Sequence, residues 1–250
     1  MIKKIILKFG LGKIEYYFYK IFTSYYINSG IKIDISSYEN FQRAKSLKVK
    51  ETDTIEWIES FNKNDIFYDI GANIGVYSLY ASSRCKEVLS FEPHFMNYNV
   101  LNKNIYLNKF KNTRAFCLAF SNKMEIGKLE HFKFSIGSST SQFNKTTDHN
   151  GKEFNSKFSQ GMISLSVDDF TNNIDDELFP NHIKIDVDGL EELILNGMTN
   201  VLRNSKLKSV LVEITNDEQI IKNALNKCDL FLINKQDTST NTANYIFKRN

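Results

Sequence analysis

Short apolar runs alternate with stretches of helical periodicity along most of this chain. Runs at 66–70, 87–91, 114–118, 182–186 and 209–214 are rich in branched and aromatic residues and read as buried strands. Between the last two, Leu190, Leu193, Ile194, Val201 and Leu202 fall on one stripe, which predicts one helix that Gly197 interrupts only mildly. The segments "DLFLIN" and "NYIFKR" flank a polar turn and are expected to pair antiparallel at the end of the sheet. Strands alternating with helices in this way predict an α/β domain, a mostly parallel sheet with crossover helices.

Ahead of these runs, "KIEYYFYKIFTSYYINSG" sets Ile14, Phe18, Ile21 and Tyr25 at helical spacing with Lys13 and Lys20 on another face. An amphipathic helix across 12–28 is expected, either packed on the domain or a partner subunit, or in peripheral contact with a membrane. "DTIEWIESF" follows, where Asp53 and Glu56 resemble a capping box and Ile55, Trp57 and Ile58 are offered to a core. The chain thus divides into an N-terminal helical extension at 1–50 and an α/β domain at 51–250. Only 135–160 breaks the rhythm. Polar and without sustained period, it reads as a lid-like insertion on the substrate side.

Composition narrows the function classes. A length of 250 residues suits one domain with an extension, and the net charge of +3 comes from five lysines against one glutamate in residues 1–30. The remainder is close to neutral, so no basic groove for nucleic acid is implied. Cys85, Cys117 and Cys228 lack metal-ligand spacing and form an odd set, as reduced thiols would in a cytoplasmic protein. Lys8 and Lys13 interrupt the first apolar stretch and no small-residue cleavage site follows, which argues against a signal peptide. No run approaches the roughly 20 apolar residues of a membrane span.

The chemistry gathers in "FYDIGANIGVYSLYASSRCKEVLSFEP". Asp69-Ile-Gly71-Ala-Asn73-Ile-Gly75 sits where the first strand turns into a helix, and glycine there lets the backbone bend and lie against a ligand. Glu92 closes the second strand, where a carboxylate can accept both hydroxyls of an adenosine ribose. A dinucleotide fingerprint begun at Gly71 requires glycine at 73 and 76, but the chain has Asn73 and Val76. Asp69 would repel a pyrophosphate and suits the ammonium of a methionine moiety, so S-adenosylmethionine fits better than NAD.

"FYDIGANIGVYSLYA", "VLSFEP", "CLAFSN", "LSVDDF" and "IKIDVDGLEELILNGM" together resemble the successive motifs of the FkbM family of S-adenosylmethionine-dependent methyltransferases. The resemblance runs from about Phe67 to Ile214. It implies the class I methyltransferase fold, a Rossmann-like, mostly parallel seven-stranded sheet with helices on both faces, and O-methylation of a hydroxyl on a sugar, glycan or glycan precursor. In the family's arrangement, Asp69, Gly71, Asn73 and Gly75 would cradle the methionine and sulfonium end and Glu92 would hold the ribose. Leu118 and Ala119 would border the adenine. Asp186 would lie beside the transferable methyl group, with Asp188 and Glu191 opening the next helix, although first-turn dipole stabilisation explains Glu191 equally well. Asp188 stands where the family usually has Glu, and residues 192 and 193 read Glu-Leu where Leu-Glu is typical.

Asp186, Asp188 and His94 are the candidates for proton removal from the acceptor. His182, at the start of its strand, is expected at the opposite edge, and Lys184 shares a strand face with Asp186 as a buried charge partner. A divalent cation at Asp186 and Asp188 is the other possibility, but two carboxylates leave most of an octahedral shell to water or substrate, so no metal ligand is assigned. The competing functions are N-methylation of a small molecule or protein, and cofactor binding without catalysis. A cytoplasmic location, including the inner membrane surface, is expected.

Overall fold

A computed structural model describes residues 2–137, 141–145, 153, 155–187, 189–215, 218–238 and 241–250, with side chains from residue 11 onward. Helix α1 (Ile2–Phe22) leads into a hairpin, β1 (Tyr25–Asn28) and β2 (Ile31–Asp34), followed by α2 (Tyr38–Ser46) and α3 (Thr52–Glu59). The alternation then begins with β3 (Ile66–Ile70), α4 (Val76–Ser82), β4 (Glu87–Phe91), α5 (Phe95–Asn108) and β5 (Thr113–Phe116). Four strands follow: β6 (Ala119–Phe120), β7 (Glu125–His131), β8 (Ser141–Phe143) and β9 (Phe158–Leu165). The chain continues through α6 (Val167–Asn172), β10 (His182–Ile185), α7 (Glu191–Asn196), α8 (Thr199–Arg203), β11 (Ser209–Ile214), α9 (Glu218–Asn226), β12 (Leu230–Asp237) and β13 (Ala243–Arg249).

The central sheet has seven strands in the order β12-β13-β11-β10-β3-β4-β5. All neighbours from β11 to β5 are parallel, while β13 runs antiparallel to both β11 and β12. Period-two alternation sends Phe67, Val88, Leu211 and Ile246 to one face, where Trp57 and Leu79 cover them. Tyr68, Val210 and Phe247 point the other way, into a core with Phe91, Ile185 and Leu195. Each such side chain contributes about 1.5–3 kcal/mol by leaving water. Helices therefore cover both faces of a mostly parallel, Rossmann-like sheet, and all its parallel strands point their carboxyl ends to one edge.

Several local expectations change. The stripe from Leu190 to Leu202 is split into α7 and α8 at Gly197, where the close approach to the Ser121 carbonyl oxygen leaves no room for a side chain, since a Cβ there would stand 2.2 Å from it. The expected N-terminal stripe faces outward: Phe18 is 63% and Ile21 77% exposed, and Tyr25 begins β1. Tyr16 and Tyr19 instead pack on Phe41, and the Tyr16 hydroxyl donates to Ser36 O at 3.2 Å. Aromatic packing plus a polar tip selects the tyrosine face over the aliphatic one. Helix α3 takes no capping box; Glu51 occupies its N-cap and Asp53 accepts from Asn234 Nδ2 at 2.5 Å. The third and fourth sheet strands end at Phe116 and Ile185, short of the expected 118 and 186.

A second, four-stranded sheet ordered β6-β9-β7-β8 flanks the first. Within 135–160, it includes Ser141–Phe143 and the opening of β9 at Phe158. Most of the remaining stretch, where a lid is expected, lies outside the described residues. Among the described residues Cys85 and Cys228 are buried and Cys117 exposed, all as free thiols, and no helix is long and apolar enough to cross a membrane.

Candidate functional site

The strands' carboxyl ends open into a cavity of about 640 Å³. One wall is the β3–α4 turn from Ile70 to Asn73. Beside it stand Phe91, Glu92 and His94 after β4, Leu118 and Ala119 after β5, Asp186 after β10, and Glu213 near the end of β11. The facing wall comes from α2, with Tyr38, Gln42 and Arg43, and from Lys50 and Glu51. Ligand sites in open α/β sheets form at this edge.

The turn is built on glycine for a definite reason. Gly71 has φ +81°, and a Cβ on it would lie 1.9 Å from the carbonyl oxygen of Asp186. The tips of β3 and β10 thus meet across a residue without a side chain, which brings Asp186 to the cavity floor. Gly71 N and Ala72 N donate to Phe91 O at 2.9 and 3.0 Å, tying the turn to β4. Gly75, with φ +86°, caps α4 and sits against Leu101.

Glu92 is buried and its two oxygens are fixed: Oε1 accepts from His94 N and Oε2 from Asn73 N, both at 2.8 Å. Burial outweighs these bonds and pushes its carboxyl up to about 7. Hydroxyl or cationic donors brought against it would stabilise the ionised form. Asp69 is sealed beneath the turn; Oδ2 accepts from Ser78 at 2.5 Å and Oδ1 has no partner among the described residues. Glu92 and Asp186 line the cavity, with Asp69 buried behind its wall, and burial raises the Asp69 and Glu92 carboxyls; a cationic ligand with adjacent hydroxyls, as S-adenosylmethionine is, would favour their ionised forms.

At the other end, Lys184 is 1% exposed and donates from Nζ to Asp186 Oδ2 at 2.5 Å. Tyr77 lies under the ammonium with its ring centre 5.1 Å away. Burial would neutralise this lysine, but Asp186, Asp69 and Glu51 hold its pKa above the ordinary value. Burial likewise works against the Asp186 charge, and the Lys184 ammonium with a hydrogen bond from Glu213 overcomes it, keeping that carboxyl below the usual range. Glu213 shows the converse: burial, then the Asp186 charge, push it up to about 9. At neutral pH Asp186 is ionised and Glu213 carries the proton between them.

Of the sequence candidates, Gly71, Asn73, Glu92, His94, Leu118, Ala119 and Asp186 line the cavity together. Asp69 and Gly75 stand behind the wall, and Asp188 lies outside the described residues. His94 caps α5, where its Nδ1 accepts from Met96 N at 3.1 Å. Burial and His131 lower its pKa to about 4, so the ring is neutral with its proton on Nε2. Its Nε2–H is buried without a partner among the described residues, and the ring has no free lone pair for proton removal. His182 sits at the amino edge, bonded to Asp65 at 3.0 Å and Ser209 at 2.7 Å, far from this chemistry. Glu191 donates nothing to the cavity; its Oε1 accepts from Gly189 N at 3.1 Å at the start of α7. Sequence reasoning missed Glu213, Tyr77 and Arg43. The strand ending at Ile214 carried a signal for the first, since an acid near the carboxyl end of a strand beside Asp186 had to reach the same edge.

Comparison with known proteins agrees with this geometry. The chain is 24% identical over 187 residues to the hexuronic acid methyltransferase AglP of Haloferax volcanii, covering 73% of this chain and 70% of that one. It is 26% identical over 169 residues to the methyltransferase sdnD of Sordaria araneosa, covering 59% of this chain and 65% of that one. The fold is shared with a crystal structure of an FkbM methyltransferase from Methylobacillus flagellatus, at TM-score 0.55 and 14% identity, over 84% of this chain and about half (53%) of that one. It is also shared with Trm5b of Pyrococcus abyssi, at TM-score 0.51 and 10% identity, over 89% of this chain and 54% of that one. The sequence model of the methyltransferase FkbM domain matches residues 69–239, well over half of the chain, which belongs to that family.

Proposed function

We propose that the chain is an S-adenosylmethionine-dependent O-methyltransferase whose acceptor is a hydroxyl of a sugar, glycan or glycan precursor. The observation that carries this reading is the placement of Glu92 and Asp186, which end the strands on either side of β3 and face one cavity across the Gly71 turn. Glu92, clamped by two backbone amides, accepts the ribose hydroxyls, and Leu118 and Ala119 border the adenine. Asp69 supports the methionine end from beneath through its charge. Bound S-adenosylmethionine supplies a methyl group already activated on a sulfonium, so the protein chiefly aligns an acceptor oxygen opposite sulfur. Asp186 receives the acceptor proton, and Lys184 keeps it ionised for that task. Asp188, two positions after Asp186 in the sequence and outside the described residues, is proposed for acceptor contact. The hexuronic acid named for the Haloferax relative favours a sugar.

The test is transfer of labelled methyl from S-adenosylmethionine to a panel of uronic acids and neutral sugars. An acid-stable, base-stable ether product is expected. Label appearing only in a base-labile ester or on nitrogen overturns the O-methyl reading, and binding without turnover on any acceptor points to a non-catalytic subunit.

A further inference from the structure

We propose that Arg43 of α2 forms a carboxylate-binding subsite in the cavity wall opposite the strand ends. Resting on the reading of the cavity as a shared cofactor and acceptor site, this names a recognition element that lies ahead of the family-matched residues.

Among the described residues three cations line the cavity: Arg43, Lys50 and Lys184. Lys184 is paired with Asp186 at 2.5 Å and Lys50 with Glu51 at 3.5 Å. Among the described residues Arg43 has no carboxylate partner. Its Nε and Nη2 both donate to Gly137 O, at 3.2 and 3.1 Å. That carbonyl is held in turn, because Gly137 N donates to Asn97 Oδ1 at 2.7 Å and the residue adopts φ +80° against Asn40. The guanidinium is therefore oriented in advance, and the edge it uses is the Nε side. Among the described residues Nη1 has no hydrogen-bond partner, which leaves the end-on edge, one N–H from each Nη, for a ligand whose two oxygens match its two parallel donors, as a carboxylate's do. Such a fork is already desolvated on one side and needs little further ordering to bind.

Its charge also acts on both Glu92 and Asp186, lowering each, so it stands within electrostatic reach of both ends of the cavity. A carboxylate reaching Arg43 could belong to the methionine moiety of the cofactor or to an acidic sugar acceptor. Both present the same planar anion, and binding experiments separate them.

Calorimetry on the full chain and on R43Q would use S-adenosylhomocysteine, methylthioadenosine, which lacks the carboxylate, and then glucuronate and glucose with S-adenosylhomocysteine saturating. If the cofactor is the source, R43Q weakens S-adenosylhomocysteine by about tenfold or more and leaves methylthioadenosine unchanged. If the acceptor is the source, the cofactor affinities hold while glucuronate loses at least about tenfold and glucose does not change. R43K, which keeps the charge without the fork, gives an intermediate loss on the same ligand, and it decides the question should the Gln variant not fold. Native-like affinity of the variants for both carboxylates overturns the subsite alone. Failure of the native protein to bind either adenosine ligand overturns the cofactor reading, and the subsite with it.

Discussion

Asp186 and Glu213 are hydrogen-bonded to each other through their carboxyl groups at the ends of adjacent parallel strands, and Lys184 donates to the same Asp186. A cation on one side and a neutral acid on the other leave Asp186 ionised in a place where burial alone would protonate it. A carboxylate held in this way is fixed in direction at the cavity it lines.

Asp186→Asn keeps the shape and removes the charge. Single-turnover methyl transfer is expected to fall by roughly 10²-fold or more while S-adenosylhomocysteine affinity stays near native. Near-native turnover in this variant would remove Asp186 from the chemistry and leave proximity to explain the rate.

Glu213→Gln preserves a donor toward Asp186 but cannot titrate. In the native protein, activity is expected to fall as pH rises through about 9, where Glu213 gives up its proton and the bond to Asp186 is lost. A pH–rate profile of the variant should lack this alkaline limb; its persistence would assign the limb to another group.

Glu92→Ala should weaken S-adenosylhomocysteine binding by about 1.5–3 kcal/mol, the range for hydrogen bonds to a charged group. With the ribose as the proposed point of contact, methylthioadenosine should weaken equally. An unchanged dissociation constant by calorimetry would detach Glu92 from the cofactor.

The legibility of these groups in the sequence was uneven, for physical reasons. Strands β3, β4 and β11 were readable to the residue because each is a short apolar run closed by turn residues, and together with β10, read one residue too long, they place Asp69, Glu92, Asp186 and Glu213 at one edge. Lys184 was readable as the partner of Asp186 from strand alternation alone. Arg43 was not, because α2 reaches the cavity only through contacts between residues nearly a hundred positions apart, such as Arg43 with Gly137. The outward face of α1 was misread because periodicity locates a stripe but not which of two stripes wins; Tyr16 and Tyr19 won through packing on Phe41. The close approach at Gly197 likewise involves Ser121, a distant residue.

His182, stacked on Phe61 at 3.8 Å and bonded to Asp65 and Ser209, is held neutral by burial, which lowers its pKa to about 4. The unfolded chain takes up this proton near pH 6.5 and the folded one does not until about 4, so the contribution is full above 6.5 and is lost as pH falls toward 4. Its size is of order 3 kcal/mol. Urea denaturation of the native protein and His182→Gln at several pH values should show the difference between them shrinking or reversing across that window. A constant difference would mean that His182 does not titrate differently in the two states.

Gly71→Ala should cost at least about 1–3 kcal/mol, since the side chain meets both a left-handed backbone and the Asp186 carbonyl. A fall in the denaturation midpoint together with weaker S-adenosylhomocysteine binding is expected, because the same shift displaces the turn and Asp186. Native stability in this variant would show that the β3 and β10 tips tolerate separation.

The two walls of the cavity come from different stretches of chain: the floor from strands within 69–239, and the facing wall from α2, ahead of that span. Change in one stretch does not require change in the other. Under the proposed reading, substitutions along Tyr38, Gln42 and Arg43 would reshape the wall that faces the strand ends while leaving Glu92 and Asp186 in place, so what the cavity admits can be varied separately from the strand-end carboxylates.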